Sequence, residues 1–560
     1  MESALKEDNV HVLQGPPATF PLLEELLGLT LHRNLLEMPS GGVAMIDAFS
    51  NQTLLWRDLH QQAVNLAAAL RKLGYEGQSA IFSISSENCL DFFKVVLAAL
   101  FNGAVLAPLS HSYTNYELEH SLAISRPQVV FCSRAVLPKL LQLKEPHTHI
   151  KRIIVLGKLD AASGQPGVEG LDEFIRSQLG DHSVDVNRFK PAEGDPKNSI
   201  AFILCSSGTT GLPKGVALSH MNIQVRLNHQ REPLYTPKNE LAGKSRMLGL
   251  MPFFHAYGLI VTLSSLNMGN TVVCLKRFDE DVLLRSIQTH RITILTLVPP
   301  LAIFLSKSDK VAHYDLSAVE TVYCAGAPLK AHTEAQLQLR LKCKDCRQAY
   351  GMTETSLAVT SMPIGQLKSG SCGQVMTFLM AKVRDPQSGR SLGPNQVGEL
   401  CFKGPSILMG YYKNAKATRE AFTSDGWFRT GDLGYRDEEG YFFIIDRLKE
   451  LIKYNGFQVA PAELEAILVR HPKVSDVGVV GLPDELVGER PVAFVVTKEG
   501  CELTEEELKA YVAGLVSPQK RLSGGVHFVA SIPKNPSGKI LRRQLRDWLK
   551  IHRRSFQSKL

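Results

Sequence analysis

The clearest chemical pattern in the chain is a ten-residue run of glycines, hydroxyl residues and one lysine. It reads SSGTTGLPKG from Ser206 to Gly215 and follows the apolar run Ile200 to Cys205, which predicts a buried strand. Glycines and hydroxyl groups allow backbone N–H groups to wrap closely around a polyphosphate, and Lys214 adds positive charge. The run is not a Walker A loop, because Pro213 occupies the second glycine position and Lys214 is followed by Gly215. We therefore predict a phosphate-binding loop of a different kind.

Seven further motifs follow this run in a fixed order. They are PFFH at 252–255, AGAPL at 325–329, QAYGMTE at 348–354, GEL at 398–400 with KGP at 403–405, GWFRTGD at 426–432, DRLKE at 446–450 and PSGK at 536–539. Together the eight motifs resemble those of the adenylate-forming superfamily, which includes acyl-CoA synthetases, 4-coumarate:CoA ligases, beetle luciferases and peptide-synthetase adenylation domains. The resemblance covers nearly the whole chain and looks closest to the luciferase-like, peroxisomal acyl-CoA synthetase branch.

The resemblance implies an α/β fold in two parts. A large N-terminal domain would contain stacked α/β subdomains and a distorted β-barrel, and a small α+β domain would follow it and be mobile. The boundary would lie at the DRLKE motif, so that residues 1–445 form the AMP-binding domain and residues 446–560 the mobile domain. Asp446 would then be the hinge.

The resemblance also implies a reaction in two steps that uses ATP, Mg²⁺ and CoA. A carboxylate first attacks the α-phosphate of ATP, and the CoA thiol then attacks the acyl-adenylate. Because both reactants of the first step are anions, the site must mainly position them and neutralise charge. Lys539 would stabilise the charge that develops in the first step, and His255 would stand beside the carboxylate. Rotation of the C-terminal domain would then replace Lys539 by Lys453 for the thioester step.

Most of the implied site residues bind the nucleotide. Glu354 would hold the Mg²⁺ that bridges phosphate oxygens, and Asp432 would accept hydrogen bonds from the two ribose hydroxyls. Tyr350 would pack against the adenosine, which would lie along the backbone that begins at Gly326. The full set implied for the nucleotide is Ser206, Ser207, Gly208, Thr209, Thr210, Gly211, Lys214, Gly326, Ala327, Pro328, Gln348, Tyr350, Gly351, Thr353, Asp432 and Arg447.

The implied acid pocket contains His255, Tyr257, Arg226 and Leu357. Leu357 stands where beetle luciferases carry a small serine, and Tyr257 stands in place of a phenylalanine of the luciferin pocket. An apolar Leu357 suits an alkyl chain, so we expect a medium- to long-chain fatty acid. Arg226, in contrast, matches an arginine of the luciferin pocket.

Several alternatives to a fatty acid ligase remain open. An aromatic-acid ligase of the 4-coumarate type shares all of the motifs, and so does a luciferase-like monooxygenase. A non-catalytic acyl- or nucleotide-binding relative should have lost Glu354, Asp432 or Lys539, and all three are present. A stand-alone adenylation domain that loads a carrier protein is also compatible with the motifs.

The elements that must position these residues alternate between helical and strand patterns. Apolar residues recur at helical spacing from Leu59 to Leu73, and Gln128 to Cys132 has the pattern of a strand. Thr114 with Glu117, and Thr504 with Glu507, form capping-box patterns that open helices. This alternation predicts α/β layers with parallel sheets.

Composition excludes several classes of protein. Hydrophobic residues make up 44% and charged residues 21% of the 560, which indicates a folded globular protein of more than one domain. The formal net charge of +8 does not call for nucleic acid as a partner. Eleven of the basic residues lie between Ser517 and Leu560. We expect them to form either a solvated helix face or a surface for phosphates such as those of CoA. The ten scattered cysteines indicate reduced thiols.

The termini and the apolar stretches bear on location. The most apolar stretch, from Phe92 to Leu109, is interrupted by Lys94 and Pro108 and predicts a buried helix and strand instead of a membrane span. No secretory signal opens the chain. The chain ends in Ser558-Lys559-Leu560, which matches the address read by the peroxisomal import receptor. We therefore expect the protein in the peroxisomal matrix.

Overall fold

The computed structural model of the protein describes residues 11–144, 147–157, 167–206, 213–329, 331–448, 450–454, 457–484, 486–516, 518–535 and 538–552. Its contacts divide these residues into two units. The larger unit comprises residues 13–380 and 402–428, and the smaller unit comprises residues 11–12, 381–401 and 429–552. The boundary that we predict at Asp446 stays a prediction.

Helices and strands alternate through the first part of the larger unit, as their sequence patterns predict. The elements are β1 (Leu13–Gln14), α1 (Leu27–Leu36), β2 (Val43–Asp47), β3 (Thr53–Leu55), α2 (Trp56–Lys72), β4 (Ile81–Ser85), α3 (Phe92–Phe101), β5 (Val105–Leu109), α4 (Asn115–Ser125), β6 (Val129–Cys132), α5 (Leu137–Lys144), β7 (Arg152–Val155), β8 (Val168–Gly170), α6 (Leu171–Leu179) and β9 (Ile200–Ser206).

The alternation continues from residue 214 to residue 375. The elements are β10 (Lys214–Ser219), α7 (His220–Arg231), α8 (Lys238–Leu241), β11 (Arg246–Gly249), α9 (Ala256–Asn267), β12 (Thr271–Cys274), α10 (Glu280–Thr289), β13 (Ile294–Leu297), α11 (Pro299–Lys307), β14 (Thr321–Cys324), α12 (Ala331–Leu341), β15 (Asp345–Met352), β16 (Leu357–Ser361) and β17 (Gln374–Val375), with 3₁₀ turns at Asp309–His313 and Thr353–Thr355.

The remaining elements are mostly strands, and helices are few and short. They are β18 (Met380–Arg384), β19 (Ser391–Leu392), β20 (Gly398–Lys403), β21 (Gly410–Tyr411), α13 (Ala415–Ala421), β22 (Phe428–Arg436), β23 (Phe442–Arg447), β24 (Ile452–Tyr454), β25 (Phe457–Val459), α14 (Pro461–Leu468), β26 (Val474–Asp484), β27 (Gly488–Thr497), α15 (Glu505–Ala513), β28 (Val526–Phe528) and α16 (Arg542–His552), with a 3₁₀ turn at Pro518–Lys520.

The larger unit contains two large sheets with parallel cores. One has the order β21-β10-β9-β5-β4-β6-β7-β8, and the other has the order β17-β16-β15-β14-β13-β11-β12-β2-β3. Strands β5, β4, β6, β7 and β8 run parallel, as do β2, β12, β11, β13, β14 and β15. Central strands of this kind are covered on both faces, which explains why all of β6 is buried and apolar.

The parallel strands also decide where the motifs lie. Ser206 ends β9, residues 252–255 follow β11, Gly326 follows β14, and Thr353 follows β15. Four motifs therefore follow the carboxyl ends of strands, which is where open α/β sheets bind ligands.

The described residues of the smaller unit form two sheets. Antiparallel pairing joins β22 to β23 in the first, which has β18, β20, β22 and β23 in this order. The second has the order β25-β24-β27-β26, and β28 pairs with β27. Val479 packs with α14 and α15, while Val480 packs with Leu545 of α16. Because successive strand residues point to opposite faces, α16 covers the face opposite to α14 and α15.

The predicted α/β fold, with a large N-terminal part and a smaller C-terminal part, is confirmed. The capping box of Thr114 with Glu117 is also present, and the Thr504 side chain accepts a hydrogen bond from Glu507 N. Across the part of the chain that the structure describes, every helix is too short or too polar to span a bilayer. All ten cysteines are free thiols.

Buried neutral histidines make the larger unit sensitive to acid. The His220 Nδ1 accepts a hydrogen bond from Leu27 N at 3.1 Å, and burial lowers the pKa of His220 from 6.5 to about 4. As pH falls below 6.5 the unfolded chain takes up a proton that the folded chain does not, so folding stability is lost. At pH 5 this group alone costs roughly 2 kcal/mol.

We therefore expect the thermal unfolding midpoint to decrease when the pH is lowered from 7.5 to 5. His220→Asn keeps an acceptor for Leu27 N and should show a smaller fall, while His182→Asn, at an exposed position, should behave like the wild type. Equal falls in the wild type and in His220→Asn would contradict this account.

Candidate active site

His255 is the N-cap residue of helix α9, and the hydrogen bond that its ring makes there decides which ring nitrogen carries the proton. Its Nδ1 accepts a hydrogen bond from Tyr257 N at 3.3 Å, so the ring proton lies on Nε2. Burial lowers the pKa of His255 and keeps the ring neutral. The side chain therefore presents one N–H donor, which suits a carboxylate oxygen.

Asn88 holds the loop that carries His255, and sequence reasoning missed it. Its amide nitrogen donates to the carbonyls of Gly249, Leu250 and Met251 at 3.2, 3.4 and 3.0 Å. Its amide oxygen accepts from Phe253 N at 2.8 Å. No local pattern announces this role, because the loop lies 161–163 positions further along the chain.

Tyr257 and Arg226 lie in a largely buried region of the larger unit. The Tyr257 hydroxyl donates to the carbonyl oxygens of Leu297 and Tyr323, each at 3.2 Å, and burial raises its pKa, so the phenol stays neutral. Burial lowers the pKa of Arg226 to about 10, and nearby Tyr323 and Glu240 oppose that shift. Arg226 remains a cation at neutral pH.

Glu240 is a second residue that sequence reasoning missed. Its carboxylate accepts a hydrogen bond from the Tyr323 hydroxyl at 3.2 Å, and burial raises its pKa to about 7. The guanidinium of Arg347 lies 5.5 Å from the Tyr323 ring centre and pairs with Asp345. Arg226 is thus close to a buried group of Tyr323, Glu240 and Arg347, in which the pKa of Glu240 is near neutrality.

Gln348 shapes the loop that starts at Gly326. Its amide oxygen accepts from Leu329 N at 2.8 Å, and its amide nitrogen donates to Glu334 Oε2 at 2.9 Å. Gly326 has a φ of +89°, which favours glycine. Gly326 and Pro328 are exposed and Ala327 is half-buried. Gln348 therefore positions an accessible backbone segment, while its own polar groups are engaged within the protein.

Tyr350 lies on β15, two residues after Gln348, which bonds to Leu329 N. Its ring centre is 6.1 Å from that of Phe402, with 37° between the ring planes. The Tyr350 side chain is half-buried, so part of its ring surface is available to a flat ligand.

The turn after β15 has an unusual backbone conformation. Ser356 and Leu357 have φ values of +52° and +91°, a region that bulky residues rarely adopt. Thr355 Oγ1 holds the turn by accepting from Met352 N at 2.9 Å and donating to Leu357 O at 2.6 Å. A Cβ atom on Gly351 would lie 1.7 Å from Leu357 O, so only glycine fits there. Backbone of this kind is concentrated at functional sites.

Glu354 belongs to this turn, with Thr353 beside it. Its Oε1 accepts a hydrogen bond from the Tyr411 hydroxyl at 3.1 Å, and the Lys214 ammonium lies 4.8 Å from the Tyr411 ring centre. A single carboxylate of this kind suits Mg²⁺, which takes one or two carboxylates together with phosphate oxygens. Tyr411 is a third residue that sequence reasoning missed.

Lys214 lies opposite the buried Ser206 in the β9–β10 register. The predictions for Ser207, Gly208, Thr209, Thr210 and Gly211 fall outside the described residues. The structure therefore places the two ends of the predicted phosphate loop, and it places Lys214 close to the turn of Glu354 through Tyr411.

In the smaller unit, Asp432 and Arg447 face each other across strands β22 and β23. They are register partners, and Arg447 Nε lies 3.1 Å from Asp432 Oδ1. Thr430 Oγ1 accepts from Asp432 N at 3.1 Å and donates to Leu400 O at 2.8 Å, which fixes the strand at this point. Asp432 is largely buried, so its charge is only weakly screened.

Lys539 lies within the electrostatic range of this pair. Burial lowers the pKa of Lys539 to about 8, repulsion from Arg447 adds to the shift, and Glu450 and Asp432 oppose it. Among the described residues Lys539 forms no ion pair. The structure thus brings together three of the sequence-predicted residues of this unit and leaves the ammonium of Lys539 available.

Asp446 and Lys453 occupy other positions in the smaller unit. The carboxylate of Asp446 accepts from Arg447 N at 2.7 Å and from Ala462 N at 3.0 Å, which joins β23 to the first turn of α14. Lys453 is exposed on β24, and its backbone N–H donates to Glu489 Oε2 at 2.9 Å. The hinge role of Asp446 and the catalytic role of Lys453 stay predictions.

Known proteins match the chain over most of its length. The model of AMP-binding enzymes matches residues 32–412, and that of the AMP-binding enzyme C-terminal domain matches residues 463–539. Luciferin 4-monooxygenase of Photinus pyralis is 40% identical over 558 residues, covering 99% of this chain and 100% of that protein. Probable 4-coumarate–CoA ligase 1 of Dictyostelium discoideum is 37% identical over 495 residues, covering 86% and 88%. The structure of a red-emitting luciferase from Phrixothrix hirtus is 38% identical, with a TM-score of 0.73 and coverage of 96% and 99%.

The turn of Glu354 should not tolerate a side chain at Gly351. Gly351→Ala would push a Cβ atom into Leu357 O and should cost about 3 kcal/mol of folding stability or displace the turn. The thermal unfolding midpoint measures this cost. Gly41→Ala is the matched control, because its Cβ would meet no atom within 4 Å. Equal midpoints for the two variants would show that the turn adapts freely.

Proposed function

The chain belongs to the family of AMP-binding, adenylate-forming enzymes, and on that premise we propose that it is an ATP-dependent acid:CoA ligase. ATP use follows from the family. In the first step a carboxylate oxygen forms a bond to the α-phosphorus of ATP, and the bond to the leaving pyrophosphate breaks. In the second step the CoA sulfur attacks the acyl carbon, and AMP leaves. CoA and Mg²⁺ belong to the proposal.

The observation that carries this proposal is the environment of Lys539. The Lys539 ammonium is half-buried, lies near Arg447 and Asp432, and forms no ion pair among the described residues. Its positive charge is therefore not neutralised by a direct partner there. Such a group favours a reaction in which negative charge develops between two anionic reactants. Lys539 would stabilise the α-phosphate and carboxylate, and Asp432 with Arg447 would hold the ribose.

The larger unit would bind the rest of the nucleotide and the acid. Lys214 and Thr353 would contact phosphates, and Glu354 would hold Mg²⁺, which neutralises phosphate charge when bound. The backbone of residues 326–328 and the ring of Tyr350 would hold the adenine. The Nε2–H of His255 would donate to the carboxylate of the acid.

The acid is proposed to be a medium- to long-chain fatty acid. Leu357 makes the implied pocket apolar, and this is the residue on which the proposal depends. An aromatic acid of the 4-coumarate type is the alternative, which the similarity to a probable 4-coumarate–CoA ligase favours.

A luciferin monooxygenase is a second candidate function, because 40% identity to such an enzyme extends over 99% of the chain. Arg226 supports it, while Leu357 and Tyr257 depart from the luciferin pocket.

The second half-reaction would use other residues of the smaller unit. Rotation about Asp446 would withdraw Lys539 and present Lys453 to the thioester step. One small domain would thus serve both steps.

The half-reactions separate these roles experimentally. With ATP, Mg²⁺, CoA and a panel of fatty and aromatic acids, we expect AMP and acyl-CoA from one class of acid. Lys539→Ala should reduce the rate of adenylation by a factor of about 10² to 10³, because the positive charge that stabilises the transition state is removed. The same variant should still convert a synthetic acyl-adenylate and CoA into the thioester, and Lys453→Ala should show the reverse pattern.

Three outcomes would contradict the proposal or direct it elsewhere. Equal loss of both half-reactions in Lys539→Ala would contradict the division of roles. Light emission with luciferin, ATP and oxygen, without acyl-CoA from any acid, would favour the monooxygenase. No turnover of any kind by the wild type would favour a non-catalytic binding protein.

We also propose that the protein acts in the peroxisomal matrix, delivered by the import receptor that reads Ser558-Lys559-Leu560. A fluorescent protein fused to the N-terminus should accumulate in peroxisomes, and deletion of the last three residues should leave it in the cytosol. Replacement of Lys559 by Arg, which keeps the charge, is the matched control. Peroxisomal import of the truncated chain would contradict this address.

A further inference from the structure

Arg542 lies buried at the start of the last helix, three residues after Lys539. It belongs to the basic run that begins at Ser517, yet its side chain is turned into the smaller unit and is only 8% exposed. Its neighbour Arg543 is exposed. Arg542 therefore contributes nothing to a basic outer surface and requires another explanation.

Every nitrogen of its guanidinium has a partner from a different segment. Nη1 pairs with Glu450, and Nη2 donates to both oxygens of Glu465 at 2.9 and 2.8 Å. Nε donates to Val479 O at 3.3 Å. Glu450 lies in the segment just after β23, and Glu465 lies on α14. One side chain thus joins the end of β23, α14 and β26 to the start of α16.

The segment that carries Lys539 is a short hairpin with its own internal bonds. Asn535 Oδ1 accepts from Lys539 N at 2.8 Å, and Asn535 N donates to Lys539 O at 2.9 Å. An antiparallel bridge joins Lys534 to Ile540. At one end Lys534 pairs with Asp476 at 2.6 Å, and beyond the other end stands Arg542. The described residues on either side are therefore anchored, Lys534 by Asp476 and Arg542 by Glu450 and Glu465.

We propose that Arg542 is a positioning residue for Lys539, which it fixes relative to Arg447 by bridging Glu450 and Glu465. The role of Lys539 in adenylation is taken from the proposed function. A bidentate guanidinium defines both distance and orientation, which a single ammonium cannot do. Arg542 itself is buried, and its guanidinium is fully engaged by Glu450, Glu465 and Val479 O.

The charges around Lys539 provide a direct measure of this placement. They are Asp432 from β22, Arg447 from β23, Glu450 from the segment after β23, and Arg542 from α16. Arg542 lowers the pKa of Lys539 and Glu450 raises it. Arg542→Gln should therefore raise the pKa of Lys539, and Glu450→Gln should lower it.

The test measures the Lys539 pKa directly in the full chain. Competitive acetylation over a range of pH, with mass spectrometry of the Lys539 peptide, gives the pKa without enzymatic activity. We expect a value of about 8 in the wild type, with shifts of about half a unit or more in opposite directions for Arg542→Gln and Glu450→Gln. Arg490→Gln is the matched control, because it breaks an ion pair with Asp484 in the same unit and should leave the pKa unchanged.

Arg542→Lys separates position from charge. The charge is kept, so the pKa of Lys539 should stay near that of the wild type. The bridge between the two carboxylates is lost, so the adenylation kcat should fall by about tenfold or more while the KM for ATP stays within about twofold. Arg542→Lys also serves if Arg542→Gln does not fold.

Two results would overturn the proposal. One is an adenylation kcat of Arg542→Lys equal to that of the wild type. The other is a Lys539 pKa that moves in neither charge variant. If the wild type adenylates no acid, the proposed function fails, yet the acetylation experiment still shows whether Arg542 and Glu450 hold Lys539 where the structure has it.

Discussion

The smaller unit holds a lysine ammonium partly out of water beside two other cations. Lys539 experiences burial and repulsion from Arg447 and Arg542, and each of these disfavours its charge. An ion pair would stabilise Lys539 but would also neutralise the field that it offers a ligand. Nearby Glu450 and Asp432 offset the repulsion without forming such a pair. These opposing effects leave the ammonium of Lys539 largely charged at neutral pH and available to a ligand.

Two further carboxylates of the smaller unit, Asp446 and Glu465, are also largely buried and strongly hydrogen-bonded. Burial raises the pKa of Asp446 and of Glu465, and Arg542 opposes both shifts. Asp446 joins β23 to α14, and Glu465 joins α14 to Arg542 and to Val479. Removing one member of such a network leaves an uncompensated buried charge. The polar interior of the unit is therefore a connected set that aligns β23, α14 and α16.

In the larger unit, some polar side chains form all of their hydrogen bonds within the protein and so position other groups that stay available to a ligand. The amide groups of Asn88 and Gln348 bond to backbone and side-chain partners. Asn88 thereby fixes the loop that carries His255, and Gln348 fixes the loop that starts at Gly326. The Nε2–H of His255 and the backbone around Gly326 are what these loops present. Positioning of this kind relies on preorganised groups, which is the main requirement of a reaction between two anions.

Much of the fold could be predicted from the sequence, because its signals are local. The expected strand from Gln128 to Cys132 is β6 (Val129–Cys132), and the helical spacing from Leu59 to Leu73 belongs to α2 (Trp56–Lys72). Lys539, Asp432 and Arg447 could be predicted only from motif resemblance, and the structure brings them near one another. Their roles are not visible in any local pattern.

The residues that sequence reasoning missed act over long separations. Tyr411 meets Glu354 across 57 positions, and Arg542 meets Glu450 across 92. Charge counting grouped Arg542 with a basic run expected to form either a solvated helix face or a surface for phosphates, because composition does not show which way a side chain points. Similarly, the need for glycine at position 351 follows from the approach of Leu357 O and not from any propensity.

The most direct test is to look for the acyl-adenylate itself. The wild-type protein is incubated with ATP, Mg²⁺ and a carboxylic acid but no CoA, quenched, and examined by mass spectrometry. The account predicts acyl-AMP in an amount close to that of the enzyme, with an equal amount of pyrophosphate, and its conversion into acyl-CoA when CoA is added. ADP with an acyl phosphate, or AMP without any acyl-AMP, would contradict it.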